Sequence, residues 1–318
     1  MNRRELLGAG LAALPSLTCG RRAVVSARDP LALVTADTEA HVAVVSLASH
    51  RVLRRLGTID GPRSIQSAGD VAIVGHSAAG AVTLLEGRPP RVRRVLRGFE
   101  QPRYTAFAPD GRHAFVSDSG SGEMAVIDLG RGRVVSRVEV GALARHVTIA
   151  PGGDRLWVSL GSSAARIAVL EVTDAGRPRV LRSVVPPFLV HDVGFAPGGR
   201  EVWVTAGRDP RLAIYRADGH GPVALLRADR APQHVTFGPS RAYVASGEGR
   251  SVHVHSLGDG RLLRAVRVPI GSYNVQRGAG VVLTPSLNLG TLTVLDRHGG
   301  VRARARVARA AHDVCVLR

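Results

Sequence analysis

The sequence contains no lysine, so all 43 of its basic residues are arginine. Asparagine is nearly absent too, and with Ala, Gly and Val abundant the skew matches codon choice in a GC-rich genome. The net charge of +18 is therefore weak ground for inferring a polyanionic partner. Aromatic residues make up only 4% and do not interleave with the Arg clusters, whereas single-stranded nucleic acid is gripped by stacking. No specific nucleic-acid binding is expected. The apolar stretch Leu6 to Leu17 has 12 residues, too short for a bilayer that needs roughly 20, so no transmembrane span is expected. Cys/His spacing of a zinc module is missing, as is a Gly-rich phosphate loop between a strand and a helix. What is present suits many short strands and turns: 318 residues, 45% hydrophobic, with 37 Gly and 18 Pro.

Residues 1–27 read as an export signal. Asn2-Arg3-Arg4-Glu5 supplies a charged start, Leu6 to Leu17 a short apolar region, and Val25-Ser26-Ala27 small residues for cleavage. The Arg pair and modest hydrophobicity resemble a twin-arginine signal, implying an extracytoplasmic protein, periplasmic, envelope-bound or secreted. Cys19 offers a lipid-anchored alternative, although Thr18 is a poor neighbour for it. Cutting after Ala27 leaves 291 residues, a charge of +15 and one thiol, Cys315, so no intrachain disulfide can form.

The remaining 28–318 carry an internal repeat. Tyr104-Thr105-Ala106-Phe107-Ala108-Pro109-Asp110-Gly111 returns as His146 to Gly153, as His191 to Gly199 and as His234 to Pro239, with weaker copies at Ser64, Asn274 and His312. Successive anchors lie 40, 42, 45, 43, 40 and 38 residues apart, the period of four-stranded propeller blades. Seven anchors predict a seven-bladed, all-β propeller. Within one copy, His113 to Ser117 reads as a second strand, Met124 to Asp128 as a third and Val134 to Val140 as an outer strand. The mature chain begins on a second strand, Leu31 to Thr35, so the ring is expected to close by a mixed blade whose first strand is His312 to Leu317. That arrangement removes two open sheet edges. Cys315 then sits in an inner strand as a buried, inert thiol.

Phe115-Val116-Ser117-Asp118 through Met124-Ala125-Val126-Ile127-Asp128, with Val138 to Gly141 behind, resembles the YVTN-repeat, YncE-like exported propellers. A second likeness lies in Gly207 to Arg216 and Ala231 to Phe237, which resemble the lactonase-family propellers that include 6-phosphogluconolactonases. That family places a Glu directly after an Asn behind the second strand; Ala245-Ser246-Gly247-Glu248 lacks the Asn and sets the acid one residue later. The lactonase likeness implies His191 or His234 as base, Glu248 as acid or metal partner, and Arg208 steadying an anionic substrate.

The anchor position is the most informative constellation. Tyr104, His146, His191, His234, Asn274 and His312, with Ser64, are expected to ring the channel entrance as ligand-binding residues. Of these, His146, His191, His234 and His312 are candidate ligands for a divalent metal. The same rim is expected to receive Asp37, Glu39, His76, Asp118, Arg208, Asp209 and Glu248. A plainer alternative is that repetition simply copied each His as an inter-blade hydrogen-bonding element. Asp192, beside His191, adds little on the rule that adjacent strand residues point to opposite sides. The Arg clusters, such as Arg91, Arg93 and Arg94, fall on predicted outer strands and read as solvated edges. Three functions stay open: a non-catalytic exported propeller binding a small molecule or a cell-envelope protein at its channel face, a lactonase-like hydrolase, or a metal protein using the His ring.

Overall fold

A computed structural model of the chain describes residues 29–161 and 165–317. The expected export signal over 1–27 and Cys19 lie outside the described residues. The described chain forms seven four-stranded antiparallel sheets and no helix. Accordingly, no helix among the described residues is long and apolar enough to cross a membrane.

Each blade is a meander in which consecutive strands pair antiparallel, many of them joined by short Gly- or Asp-containing turns such as Asp128 to Gly132. In blade three the strands are Pro102–Phe107, His113–Asp118, Glu123–Asp128 and Arg133–Glu139. Its middle strands are buried almost throughout, whereas the outer one is half-buried to exposed. Arg91 to Arg97 and the outer strands equivalent to it carry the Arg clusters, as the sequence suggests. Between the third and fourth strands every blade has a register shift, for example between Val126 and Ile127. A bulge repeated there adds local twist to each sheet.

Blade one pairs Ala311–Leu317 with Leu31–Ala36, in register Leu33 against Cys315, followed by His41–Ser46 and Val52–Gly57. The ring thus closes by the mixed blade. Apolar packing shows the same closure, since the seven buried clusters each join two neighbouring blades. Trp157 and Tyr215 fill the seam between blades four and five, Trp203 and Phe237 that between five and six. At Cys315, burial pushes the thiol pKa up to about 12, which suits an inert core position.

Polar struts tie the blades together near the axis. The Thr205 hydroxyl accepts from the Asp192 N–H (2.9 Å) and donates to the Gln233 carbonyl of the next blade (2.6 Å). Ser159 repeats this with the His146 N–H and the His191 carbonyl, and Thr35 with the Asp313 N–H and the Arg63 carbonyl. Ser117 does the same with Tyr104 and Arg145. In blade two, Gly75 replaces the hydroxyl and the Ser64 side chain itself reaches the Arg103 carbonyl.

Candidate functional site

These struts establish which residues are equivalent, and they correct the expected ring. The positions that pair with the strut strand are Ser64 opposite Gly75, Tyr104 opposite Ser117, His146 opposite Ser159, Asp192 opposite Thr205 and Asp313 opposite Thr35. His191 and His312 each stand one residue earlier. One signal was available: the anchor precedes its Pro by five residues in Tyr104–Pro109, His146–Pro151 and His234–Pro239, a spacing that in blade five selects Asp192, not His191. The ring is therefore Ser64, Tyr104, His146, Asp192, His234, Asn274 and Asp313, and all seven line one channel cavity of about 200 Å³. A second layer sits one residue toward the entrance: Arg63, Arg103, Arg145, His191, Gln233, Tyr273 and His312.

Strand alternation misleads at Asp192 because His191 and Asp192 precede the strand Val193–Phe195, where no ladder enforces opposite faces. Both side chains reach the site. Asp192 Oδ1 accepts from the Val193 N–H (2.8 Å) and Oδ2 from the Val235 N–H of the next blade (3.0 Å), leaving His234 Nδ1 at 3.5 Å from Oδ2. Asp313 makes the matching contacts to Val314 (2.7 Å) and Ile65 (2.9 Å) between blades one and two. The carboxylates, together with the hydroxyls, thus supply the inter-blade bonds.

The imidazoles converge instead. His146 Nε2 lies 3.3 Å from His234 Nε2, and the Tyr104 hydroxyl is 3.3 Å from that same His234 nitrogen. With His191, one nitrogen from each of His146, His191 and His234 falls within 4.8 Å of the others. Tyr104 stacks on His146 with ring centroids 3.9 Å apart, and the His191 ring lies 4.7 Å from that of His146. Gly207 makes room for His191: with φ +72° and a would-be Cβ 2.8 Å from the His191 Cβ, the position admits no side chain.

Burial dominates the electrostatics. It holds the pKa of His146 well below the usual value, with His234 and His191 adding repulsion; at His191 burial again leads, followed by Arg145. Both rings are neutral at neutral pH, the state a metal ligand requires. Burial raises the Tyr104 phenol to about 12, so it stays protonated. The buried Nδ1 of His146 and Nδ2 of Asn274 have no hydrogen-bond partner, although both residues line the cavity.

Other expected residues are dispersed. His312 donates from Nδ1 to the Arg63 carbonyl (2.8 Å) and does not join the three converging histidines. Glu248 is half exposed, 3.7 Å from Arg230. Arg208 lines a separate pocket at the mouth, with Arg103 and Arg145. His76 is buried against Thr83 and the Asp60 carbonyl, and Asp118 is buried holding the Glu100 and Gln101 N–H groups, so neither lies on the open rim. Asp37 pairs with Arg63, Glu39 accepts from the Arg309 N–H, and Asp209 pairs with Arg211.

No family model matches the sequence, and no curated protein matches it. Solved structures do. A protein of unknown function from Desulfotomaculum acetoxidans aligns at TM-score 0.79 and 13% identity, over 90% of this chain and 98% of its own. A candidate 6-phosphogluconolactonase from Bacteroides uniformis aligns at TM-score 0.76 and 14% identity, over 91% of this chain and 100% of its own. AztD from Citrobacter koseri, in its apo form, aligns at 0.69 and 13%, over 91% and 98%. At such identities the likeness is one of fold, and the chain shares the seven-bladed propeller with a lactonase-like protein and with AztD.

Proposed function

We propose that this protein is an exported binding propeller whose channel holds a divalent transition-metal ion on His146, His191 and His234. The carrying observation is the 3.3 Å separation of the His146 and His234 Nε2 atoms, with a His191 nitrogen within reach of both. Ligands at 2.0–2.1 Å from a tetrahedral metal stand about 3.3–3.4 Å apart, so two of the three are already at ligand spacing. A side-chain shift of up to about 1.4 Å brings in the third. Without an ion the two nitrogens share one N–H between neutral rings, and a metal would take the place of that proton. The Asp192 carboxylate beside His234 Nδ1 favours the tautomer whose Nε2 lone pair faces the cluster, as outer-shell carboxylates do in metal sites. Tyr104, whose hydroxyl is 3.3 Å from His234 Nε2, would stand beside such an ion, and a water or ligand donor would complete its coordination.

The hydrolase reading has less support, because Glu248 and Arg208 do not meet the histidines. The test is metal content and calorimetric titration of the purified chain after chelator stripping. One ion per chain is expected, lost in His146→Ala and His234→Ala and kept in His312→Ala. A stripped protein that takes up no Zn(II), Cu(II), Ni(II) or Co(II) would overturn the assignment. Export is tested separately: Arg3→Lys with Arg4→Lys should block secretion, since the twin-arginine route reads the Arg pair itself. Secretion unchanged by the Lys pair would refute that route.

A further inference from the structure

A pocket of about 320 Å³, separate from the channel cavity, is lined by Arg103, Arg145 and Arg208, with Gln101, Leu143 and Leu189. No carboxylate is among the described lining residues. Arg103 and Arg145 occupy the second layer of the channel, one residue before Tyr104 and His146, so the repeat aims them at the axis and not at the outer surface where the other Arg clusters lie. Arg63, their neighbour in the same layer, is paired with Asp37 at 2.9 Å, but Arg103 has no ion pair among those described and its buried Nε makes no hydrogen bond. Arg103 and Arg145 also repel each other across a partly desolvated space. Like charges gathered where solvent is thin raise the free energy of the empty pocket, and an oxyanion entering it relieves that cost through charge-assisted, bidentate contacts. Leu143, in the loop that walls the pocket, holds a left-handed backbone with φ 61°, and conformations of this kind cluster at ligand-binding sites.

We infer that this pocket binds the carboxylate or phosphate group of a small anionic ligand between Arg103, Arg145 and Arg208. The site is independent of the proposed metal, since none of the three histidines lines the pocket.

The test is calorimetric titration of the full, chelator-stripped chain with inorganic phosphate and, separately, with citrate, at low salt and again at about 0.15 M, with the phosphate titration repeated on metal-loaded chain. Saturable binding of at least one probe is expected, and the tighter of the two names the group. Arg103→Gln and Arg145→Gln should each weaken it about tenfold or more, and Arg133→Gln, on the exposed outer strand, should leave it unchanged. Arg103→Lys keeps the charge without the planar fork and should give an intermediate loss, which carries the test if Arg103→Gln fails to fold. Absence of binding by both probes would overturn the inference. So would binding that Arg133→Gln weakens as much as Arg103→Gln, because the anion would then be reading surface charge. Binding confined to metal-loaded protein and insensitive to the Arg changes would assign the anion to the metal and also overturn it, whereas loss of metal uptake alone would leave it standing.

Discussion

Asp192→Asn separates structure from function within one side chain. The carboxylate accepts two backbone N–H groups, its own neighbour Val193 at 2.8 Å and Val235 of the next blade at 3.0 Å, and faces His234 Nδ1 at 3.5 Å. An amide of the same shape keeps one acceptor and turns an NH2 toward the other backbone N–H. One charge-assisted bond is lost and a buried donor is stranded, which costs about 1.5–3 kcal/mol. For a domain of this size about 2 °C of melting temperature follows each kcal/mol, so Tm should fall by roughly 3–6 °C. The same change removes the acceptor that orients His234, and loss of such an outer-shell partner weakens metal binding by about 10–100-fold. Differential scanning calorimetry and metal titration read the two effects separately. Asp313→Asn is the comparison, since Asp313 bridges blades one and two by the same pair of contacts. There the amide also removes the cost of ionising a carboxyl whose pKa burial raises to about 6, so its two effects on stability oppose each other at neutral pH. Its metal affinity should fall less than that of Asp192→Asn, because no contact of Asp313 with His234 Nδ1 matches that of Asp192. An Asp192→Asn protein that melts with the wild type refutes the strut, and one that binds metal as tightly refutes the orienting role.

Thr205→Val keeps the shape of a fully buried side chain but strands the Asp192 N–H and the Gln233 carbonyl, so urea unfolding should show a loss of about 2–4 kcal/mol. Deleting residues 312–318 removes most of the strand that closes the ring and bares the faces of Leu31 and Leu33; insolubility or a loss well beyond the ~1 kcal/mol of a typical substitution is expected, and a truncated chain melting like the intact one would sink the closure. Stability should fall in acid: burial lowers the His312 pKa from 6.5 to about 3, so the unfolded chain takes up the proton first, and the contribution is complete above pH 6.5 and lost as pH falls toward 3. Asp313 acts the other way, its contribution present below 3.8 and lost as pH rises through about 6. With His146 and His191 shifted in the same sense as His312, the net trend between pH 6.5 and 4 is downward, and His312→Asn should flatten it in urea midpoints measured across that range.

Blade number, strand order and closure were legible in the sequence because each rests on local chemistry. A Pro/Gly turn after a short apolar strand and alternation of buried positions state where a strand begins and which way it folds back; seven such phrases and a C-terminal strand without its own hairpin leave only a closed ring. The site is another matter. Its ring of seven is set by pairing with the strut strand, and blade five carries His191 one position ahead of that register, which let an imidazole stand in for Asp192. Alternation along a strand could not predict that His191 and Asp192 both enter the channel, because they precede the ladder that would enforce it. The Arg layer was hidden for a different reason: Arg103 and Arg145 are two among 43 Arg, and only their place at the start of the inner strands distinguishes them from the solvated clusters outside. Residues 42 and 88 positions apart come within hydrogen-bonding or stacking distance only when seven sheets close around one axis, so convergence of Tyr104, His146 and His234 is a property of the ring and of no single repeat.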